Sequence, residues 1–312
     1  MSLILTLALG ALTAAQLSES PRGQFLEMEH RGEHGARKYR IYIPSAHDTS
    51  RPAPLVVMLH GCTQDATDFA AGTRMNDLAE AGGFLVVYPE QSDEYHPQKC
   101  WNWYDPAHQQ SGSGEPALIA ALSREVIADR GADPERVYIA GISAGGAMAV
   151  ITAASNPGLY AAVGVHSGIA YRAASGVQEA LLAMSQGVAE SSNGAAEIRR
   201  NYNGAALPRL IVFQGSADPV VNAANAEALI RQWALAHGLE DTSGREAIAF
   251  PDSGSRYSRR TWHRDSGGAA LLESWLVEDL GHAWSGGSGA GTYTEQAGPD
   301  ASREIIHFFL DR

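Results

Sequence analysis

Short apolar runs alternate along this chain with longer, alanine-rich stretches, and this alternation constrains the fold more than any other feature of the sequence. The runs Lys38–Ile43, Leu55–Leu59, Phe84–Tyr88, Arg136–Ala140, Ala161–His166, Arg209–Gln214 and Leu271–Glu278 have strand length, and most are continuously apolar. Strands of that kind are buried on both faces, as in a parallel sheet covered by helices. Helices are predicted near Phe69–Ala81, Pro116–Asp129, Gly145–Ser155, Ala223–Ala236 and Ser302–Leu310. The repeat of strand and helix implies an α/β fold, with a mostly parallel central sheet and helices on both sides. No Pro- or Ser-rich linker divides the chain, so residues 36–312 read as one domain behind an N-terminal extension of residues 16–35.

Two stretches break the rhythm. Residues 90–115 form a long loop carrying Trp101, Trp103 and Tyr104, and residues 171–206 form a polar insertion containing Gly and Ser. Long loops inside a compact domain are usually functional or mobile. The first reads as a wall on the substrate side, the second as either a lid or a surface excursion.

A length of 312 residues with 45% hydrophobic content is enough to bury a full core. The formal charge of −12 and a pI near 5.3 argue against nucleic acid as a partner, since phosphate binding needs clustered Lys and Arg. Lys38 and Lys99 are the only lysines, and neither sits in a phosphate-cradling GxxxxGK loop. The two cysteines, Cys62 and Cys100, are too few for a zinc cluster and could form at most one disulfide. Closing that loop would stabilise the fold by about 3 to 4 kcal/mol on the chain-entropy account and would favour an oxidising compartment; two buried thiols are the alternative.

Residues 1–15 form an apolar stretch ending in small residues, with Thr13 and Ala15 at the recognition positions for cleavage after Ala15. They read as a signal peptide, giving a secreted or periplasmic protein. The missing Lys or Arg ahead of the apolar run leaves a helix docked on the domain, and a cytoplasmic location, as the alternative. No other segment approaches the roughly 18 to 20 apolar residues of a membrane span.

Gly141-Ile142-Ser143-Ala144-Gly145 fits the pattern GxSxG, directly after the strand Arg136–Ala140 and directly before an Ala-rich helix. In that context the glycines permit a strand-to-helix turn too tight for a Cβ, and the turn lifts the serine hydroxyl into a cleft. Without that context Ser143 would merely cap the helix. A serine hydroxyl needs a base, and in the α/β-hydrolase arrangement the partners follow in the order Ser, acid, His. Asp218 follows the strand Arg209–Gln214 and His282 follows Leu271–Glu278, so all three sit on loops at the carboxyl edge of the sheet. Asp252, Glu278 and Asp279 are rival acids, the last two lying too close to His282 for a separate loop. His60 and His166 also follow strands, but both precede Asp218. The alternative for Asp218 is a turn-forming residue ahead of Pro219.

Attack on an ester produces an oxyanion that must meet preorganised N–H donors. Ala144 is one expected main-chain donor. The other is Cys62, in the His60-Gly61-Cys62 turn after Leu55–Leu59. A catalytic Cys62 thiolate is disfavoured because the elbow already carries a serine.

Four separated motifs, LHGCTQ at Leu59–Gln64, CWNWY at Cys100–Tyr104, GISAGGAM at Gly141–Met148 and GHAWSGG at Gly281–Gly287, together resemble the polyhydroxybutyrate depolymerase family of esterases, a relative of feruloyl and acetylxylan esterases. The resemblance runs from about Arg37 to the last residue. It implies the α/β-hydrolase fold, the triad Ser143, Asp218 and His282, main-chain donors at Cys62 and Ala144, and a Cys62–Cys100 disulfide tethering the Trp-bearing loop. It also places Trp103 and Trp284 beside a groove for acyl or polymer chains, with core packing as the bland alternative. No metal or organic cofactor is implied. Family members that erode solid polyester often carry a linker and a polymer-binding module; none is visible here, so soluble oligomers or small esters are the expected substrates. Feruloyl or acetyl esters of plant polysaccharide are the second reading, and a catalytically silent binding protein is the third.

Overall fold

Along Ala53–Leu59 (β3) every residue is buried, yet successive side chains enter different cores. Leu55, Val57 and Leu59 pack into one layer and Val56 and Met58 into another, as the two-residue period of a strand requires. A strand dry on both faces has to lie inside a covered sheet. The computed structural model, which describes residues 23–188, 192–239, 244–249, 256–263 and 268–311, shows that sheet.

In chain order its strands are β1 (Gln24–Gly32), β2 (Gly35–Ile43), β3, β4 (Leu85–Pro89), β5 (Ala132–Ile142), β6 (Ala162–His166), β7 (Arg209–Gly215), β8 (Arg245–Ala249), β9 (Tyr257–Trp262) and β10 (Leu272–Val277). Across the ten-stranded sheet the order is β1-β2-β4-β3-β5-β6-β7-β10-β9-β8. The run from β4 to β10 is parallel, and antiparallel pairs close both edges. Helices α3 (Gly114–Arg130), α4 (Ala144–Ser155), α6 (Ser192–Tyr202) and α7 (Ala224–His237) contribute to the core on one face. Helices α1 (Ala66–Thr73), α2 (Met75–Gly82) and α8 (Ala301–Leu310) cover the other. This is an α/β-hydrolase architecture, and among the described residues no helix is long and apolar enough to cross a membrane.

Several details depart from expectation. Gln24–Gly32 lies in the stretch read as an extension, yet it is the outer strand, paired with β2 from Gln24 against Ile43. The predicted helix Phe69–Ala81 is two helices, broken where Arg74 adopts φ 54° and its guanidinium reaches Gly286 O and the Asp300 carboxylate. The insertion at 171–206 holds α5 (Val177–Gln186) and α6, and Ala195, Ile198 and Tyr202 of α6 are buried. Tyr202 donates to Ala153 O, so α6 belongs to the core rather than to a lid. The N-terminal stretch read as a signal peptide, and Asp252, lie outside the described residues.

Two histidines at strand ends are structural. His60, after β3, accepts from Gln91 N through Nε2 and donates from Nδ1 to Gly61 O. His166, at the end of β6, accepts from Ser285 N through Nε2, takes Ser143 N on its main-chain oxygen, and stacks between Phe213 and Trp284. Burial disfavours the cation at both, lowering His60 to about 4 and His166 to about 3, with the nearby His282 adding to the effect at His166.

The Trp-bearing loop hangs on another buried group. Glu115 accepts from Gln91 Nε2, Asn102 N and Asn102 Nδ2, and pairs with Arg37 at 3.6 Å, where both side chains are under 5% exposed. The ring of Tyr95 covers the Arg37 guanidinium. Burial lowers the Arg37 pKa, opposed by the Glu115 charge.

Both features give measurable consequences. An unfolded imidazole titrates near pH 6.5, so below that the unfolded state binds protons that folded His60 and His166 refuse until about 4 and about 3. Their folded values lie below the unfolded one, so stability is full above about pH 6.5 and falls as pH drops, by up to about 1.4 kcal/mol per pH unit for each imidazole. Urea unfolding across this range should show that slope, reduced by about half in His166→Asn. Glu115→Ala strands the Arg37 charge and should cost about 3 to 5 kcal/mol, whereas Glu29→Ala, at an exposed pair with Arg31, should cost less than about 1 kcal/mol.

Candidate active site

At the elbow, Ser143 has φ 56° and ψ −123°, a left-handed conformation that a residue with a side chain adopts only under constraint. The constraint is steric. A Cβ on Gly145 would lie 2.2 Å from Leu59 O, and one on Gly141 would lie 2.5 Å from Gly145 O, so the turn is wedged against the end of β3 and against itself. Beyond it α4 is buried along its whole length. The Ser143 side chain makes no capping bond to that helix, so the hydroxyl is not spent on a structural task. The residue is half-buried.

Asp218 and His282 come together. His282 Nδ1 donates to Asp218 Oδ2 at 2.8 Å, and the carboxylate is fully shielded while the imidazole is 10% exposed. The other carboxylate oxygen accepts from Val220 N and Val221 N, and Gln214 Nε2 donates to Oδ2 at 3.2 Å. Burial alone would raise the Asp218 pKa, but the hydrogen bond from His282 and the two amides outweigh it and hold the carboxyl below its ordinary value. The imidazole is therefore oriented with its Nδ1 proton on an ionised acid and Nε2 turned away from it.

The loops carrying this pair are laced together. Ser216 N donates to Val277 O, Ala217 N to Leu280 O, and Asp279 N to Ser216 Oγ. His166 joins them to the elbow, since it takes Ser143 N on its oxygen and Ser285 N on its ring. Ser143 Oγ itself has no hydrogen-bond partner among the described residues, so the imidazole and the carboxylate are joined while the serine hydroxyl stands open.

On the opposite side, Gly61 N donates to Gln64 Oε1, and Gln64 Nε2 is held by Asp68 and Thr292. Cys62 is disulfide-bonded to Cys100, and Trp101 Nε1 donates to His60 O. Among the described residues, neither the Cys62 nor the Ala144 main-chain N–H meets a protein acceptor. With its sulfur in a disulfide, Cys62 has no thiolate.

The two tryptophans expected beside a groove are inside the protein. Trp284 is 1% exposed, stacked on His166, edge-on to Phe69, with its Nε1 on Ser302 Oγ. Trp103 is also buried, against Tyr104. Packing, the bland alternative, accounts for both: Trp284 anchors the loop that bears His282. Gln214, Gln64, Asp68 and Thr292 escaped the sequence reading, because an amide or hydroxyl that holds a loop carries no motif of its own.

The chain is 31% identical over 245 residues to poly(3-hydroxyalkanoate) depolymerase C of Paucimonas lemoignei, covering 77% of this chain and 57% of that protein. It thus spans little more than half the length of that relative. Feruloyl esterase B of Thermothelomyces thermophilus is 29% identical over 252 residues, 78% of this chain and 82% of the relative. Among solved structures, an acetyl xylan esterase from Aspergillus awamori superposes with a TM-score of 0.74 at 22% identity, over 92% of this chain and 99% of that one, a likeness of fold. The model of the Esterase PHB depolymerase family matches residues 37–250, well over half of the sequence, and the chain belongs to that family.

Proposed function

We propose that the protein is a serine-dependent carboxylic ester hydrolase in which Ser143 is the nucleophile, His282 the general base and Asp218 its orienting acid. One observation carries the reading: a constrained, uncommitted elbow serine shares one sheet edge with an imidazole already locked on a buried carboxylate. His282 takes the Ser143 proton as Oγ attacks the ester carbonyl, and the Cys62 and Ala144 N–H groups receive the oxyanion. The C–O bond to the alcohol then breaks, with His282 returning the proton to the leaving oxygen. Water repeats the cycle on the acyl-enzyme and frees the acid.

The substrates proposed are short-chain hydroxyalkanoate esters or polyester oligomers, on the strength of the family and the depolymerase relative. Feruloyl or acetyl esters of plant polysaccharide form the second reading, favoured by an alignment that spans 82% of the feruloyl esterase. The Cys62–Cys100 disulfide supports a protein that works in an oxidising compartment, secreted or periplasmic.

Ser143→Ala should abolish turnover of p-nitrophenyl butyrate with the fold intact, and Asp218→Asn should cost about 10⁴ in kcat. Substantial turnover by Ser143→Ala, or failure of a fluorophosphonate to label Ser143, would falsify the assignment and favour a silent binding protein. Because the base must be neutral, kcat/KM should fall as pH drops from about 8 to about 5. His60 and His166 cannot supply that limb, since both stay neutral down to about 4 and about 3. A rate independent of pH over that range contradicts the role given to His282. Release of acid from hydroxybutyrate oligomers, methyl ferulate and acetylated xylan, compared side by side, separates the two substrate classes.

A further inference from the structure

We propose that Tyr293 is a positioning residue of this site, latching the loop of the oxyanion donor Cys62 to the loop of the base His282 through a hydrogen bond to Thr63. The proposal rests on the ester hydrolase reading given above. Tyr293 and Thr63 face each other from segments 230 residues apart, and their hydroxyls lie 3.2 Å from one another. Thr63 Oγ1 spends its own proton on Cys62 O at 2.6 Å, so the Tyr293 phenol is the donor between the two. The resulting chain runs from the phenol through the threonine hydroxyl to the carbonyl of the residue whose N–H meets the oxyanion. Each link polarises the next.

Both residues are held in a conformation that side chains resist. Thr63 has φ 65° and Tyr293 φ 52°, and neither is a glycine. Their surroundings enforce this. Thr63 N donates to Gln98 O, while Tyr293 O accepts from Trp284 N. Next to Tyr293, Thr292 is tied to Asp68 by its N and Oγ1, and Thr294 Oγ1 donates to Ser288 O. Backbone held in such a region by converging bonds is a marker of a functional constraint. Here the constraint sets a large aromatic ring at the surface, 45% exposed, in a T-shaped pair with the His282 imidazole at 6.3 Å between centroids and 76° between planes. Folding stability does not ask for an exposed tyrosine there. A phenol that spans from the base to the oxyanion loop does ask for it.

Donors to an oxyanion act on the transition state more than on the bound ester, so loosening the latch lowers kcat and leaves KM nearly unchanged. The experiment is steady-state hydrolysis of p-nitrophenyl butyrate by Tyr293→Phe, Thr63→Ala, the double variant and Thr63→Ser, with urea unfolding of each. Tyr293→Phe keeps the ring and should lower kcat about three- to tenfold, the range for one hydrogen bond, with KM within about twofold. In the Thr63→Ala background the same change should have no further effect, and Thr63→Ser, which keeps the hydroxyl, should restore most of the rate. Wild-type kcat in Tyr293→Phe, or the same fold-loss in both backgrounds, overturns the latch. A loss confined to unfolding stability also overturns it. Failure of the latch with Ser143 still labelled by a fluorophosphonate leaves the hydrolase reading standing, whereas an unlabelled Ser143 removes both.

Discussion

The placement of Ser143 depends on a contact made of backbone alone, where the elbow meets the last residues of β3. There is no room for even one methyl group, since a Cβ at Gly145 would overlap both Leu59 O and His60 O. This contact does two jobs. It forces the strained turn, whose cost of about 1 to 3 kcal/mol is met by the full burial of α4 behind it. It also sets the distance between the Ser143 elbow and the Cys62 amide, because the His60-Gly61-Cys62 turn begins where β3 ends. Elbow and turn are thus referenced to one hard surface rather than to two independent loops.

The remaining machinery follows from strand order. β3, β5, β6, β7 and β10 are neighbours running in one direction, so the loops after them open on a single edge. β6 lies between the strand of the serine and that of the aspartate, and it supplies His166, a connector. A buried neutral imidazole suits that position. Its ring accepts one amide at a fixed angle, and its planar face packs against Phe213 and Trp284 without a charge to solvate. His282 differs by having a carboxylate on one nitrogen and partial exposure. Three histidines after three strands therefore divide into two framework groups and one whose ring is bonded to a buried carboxylate.

The parallel centre of the sheet was legible because most of its strands are apolar on both faces, and the elbow because its glycines are required by sterics that any such turn must obey. Asp218 and His282 were legible by their order after strands β7 and β10. The edges were not. β1 is largely exposed or half-buried and β9 is half-buried from Tyr257 to Thr261 with four polar residues in a row, and such a segment becomes a strand only when a neighbour offers it hydrogen bonds. The break at Arg74 was hidden for a similar reason, since the left-handed residue is an arginine rather than a glycine and the bonds that hold it come from Gly286 and Asp300, more than two hundred residues away.

Trp284 shows how a correct motif can carry a wrong role. The family resemblance placed it beside a groove, but residues two apart in a turn point in different directions, and a His282 side chain held outward needs an anchor held inward. The indole is that anchor, locked between His166, Phe69 and Ser302. The same division appears across the site, where Trp101 anchors the loop of Cys62 by its bond to His60 O while a disulfide ties the neighbouring strand of chain. Irregular loops have no ladder of their own to keep them in register. In this protein rigidity is assembled instead from buried indoles, one covalent cross-link and the carboxylate of Glu115, each fixing a loop from beneath.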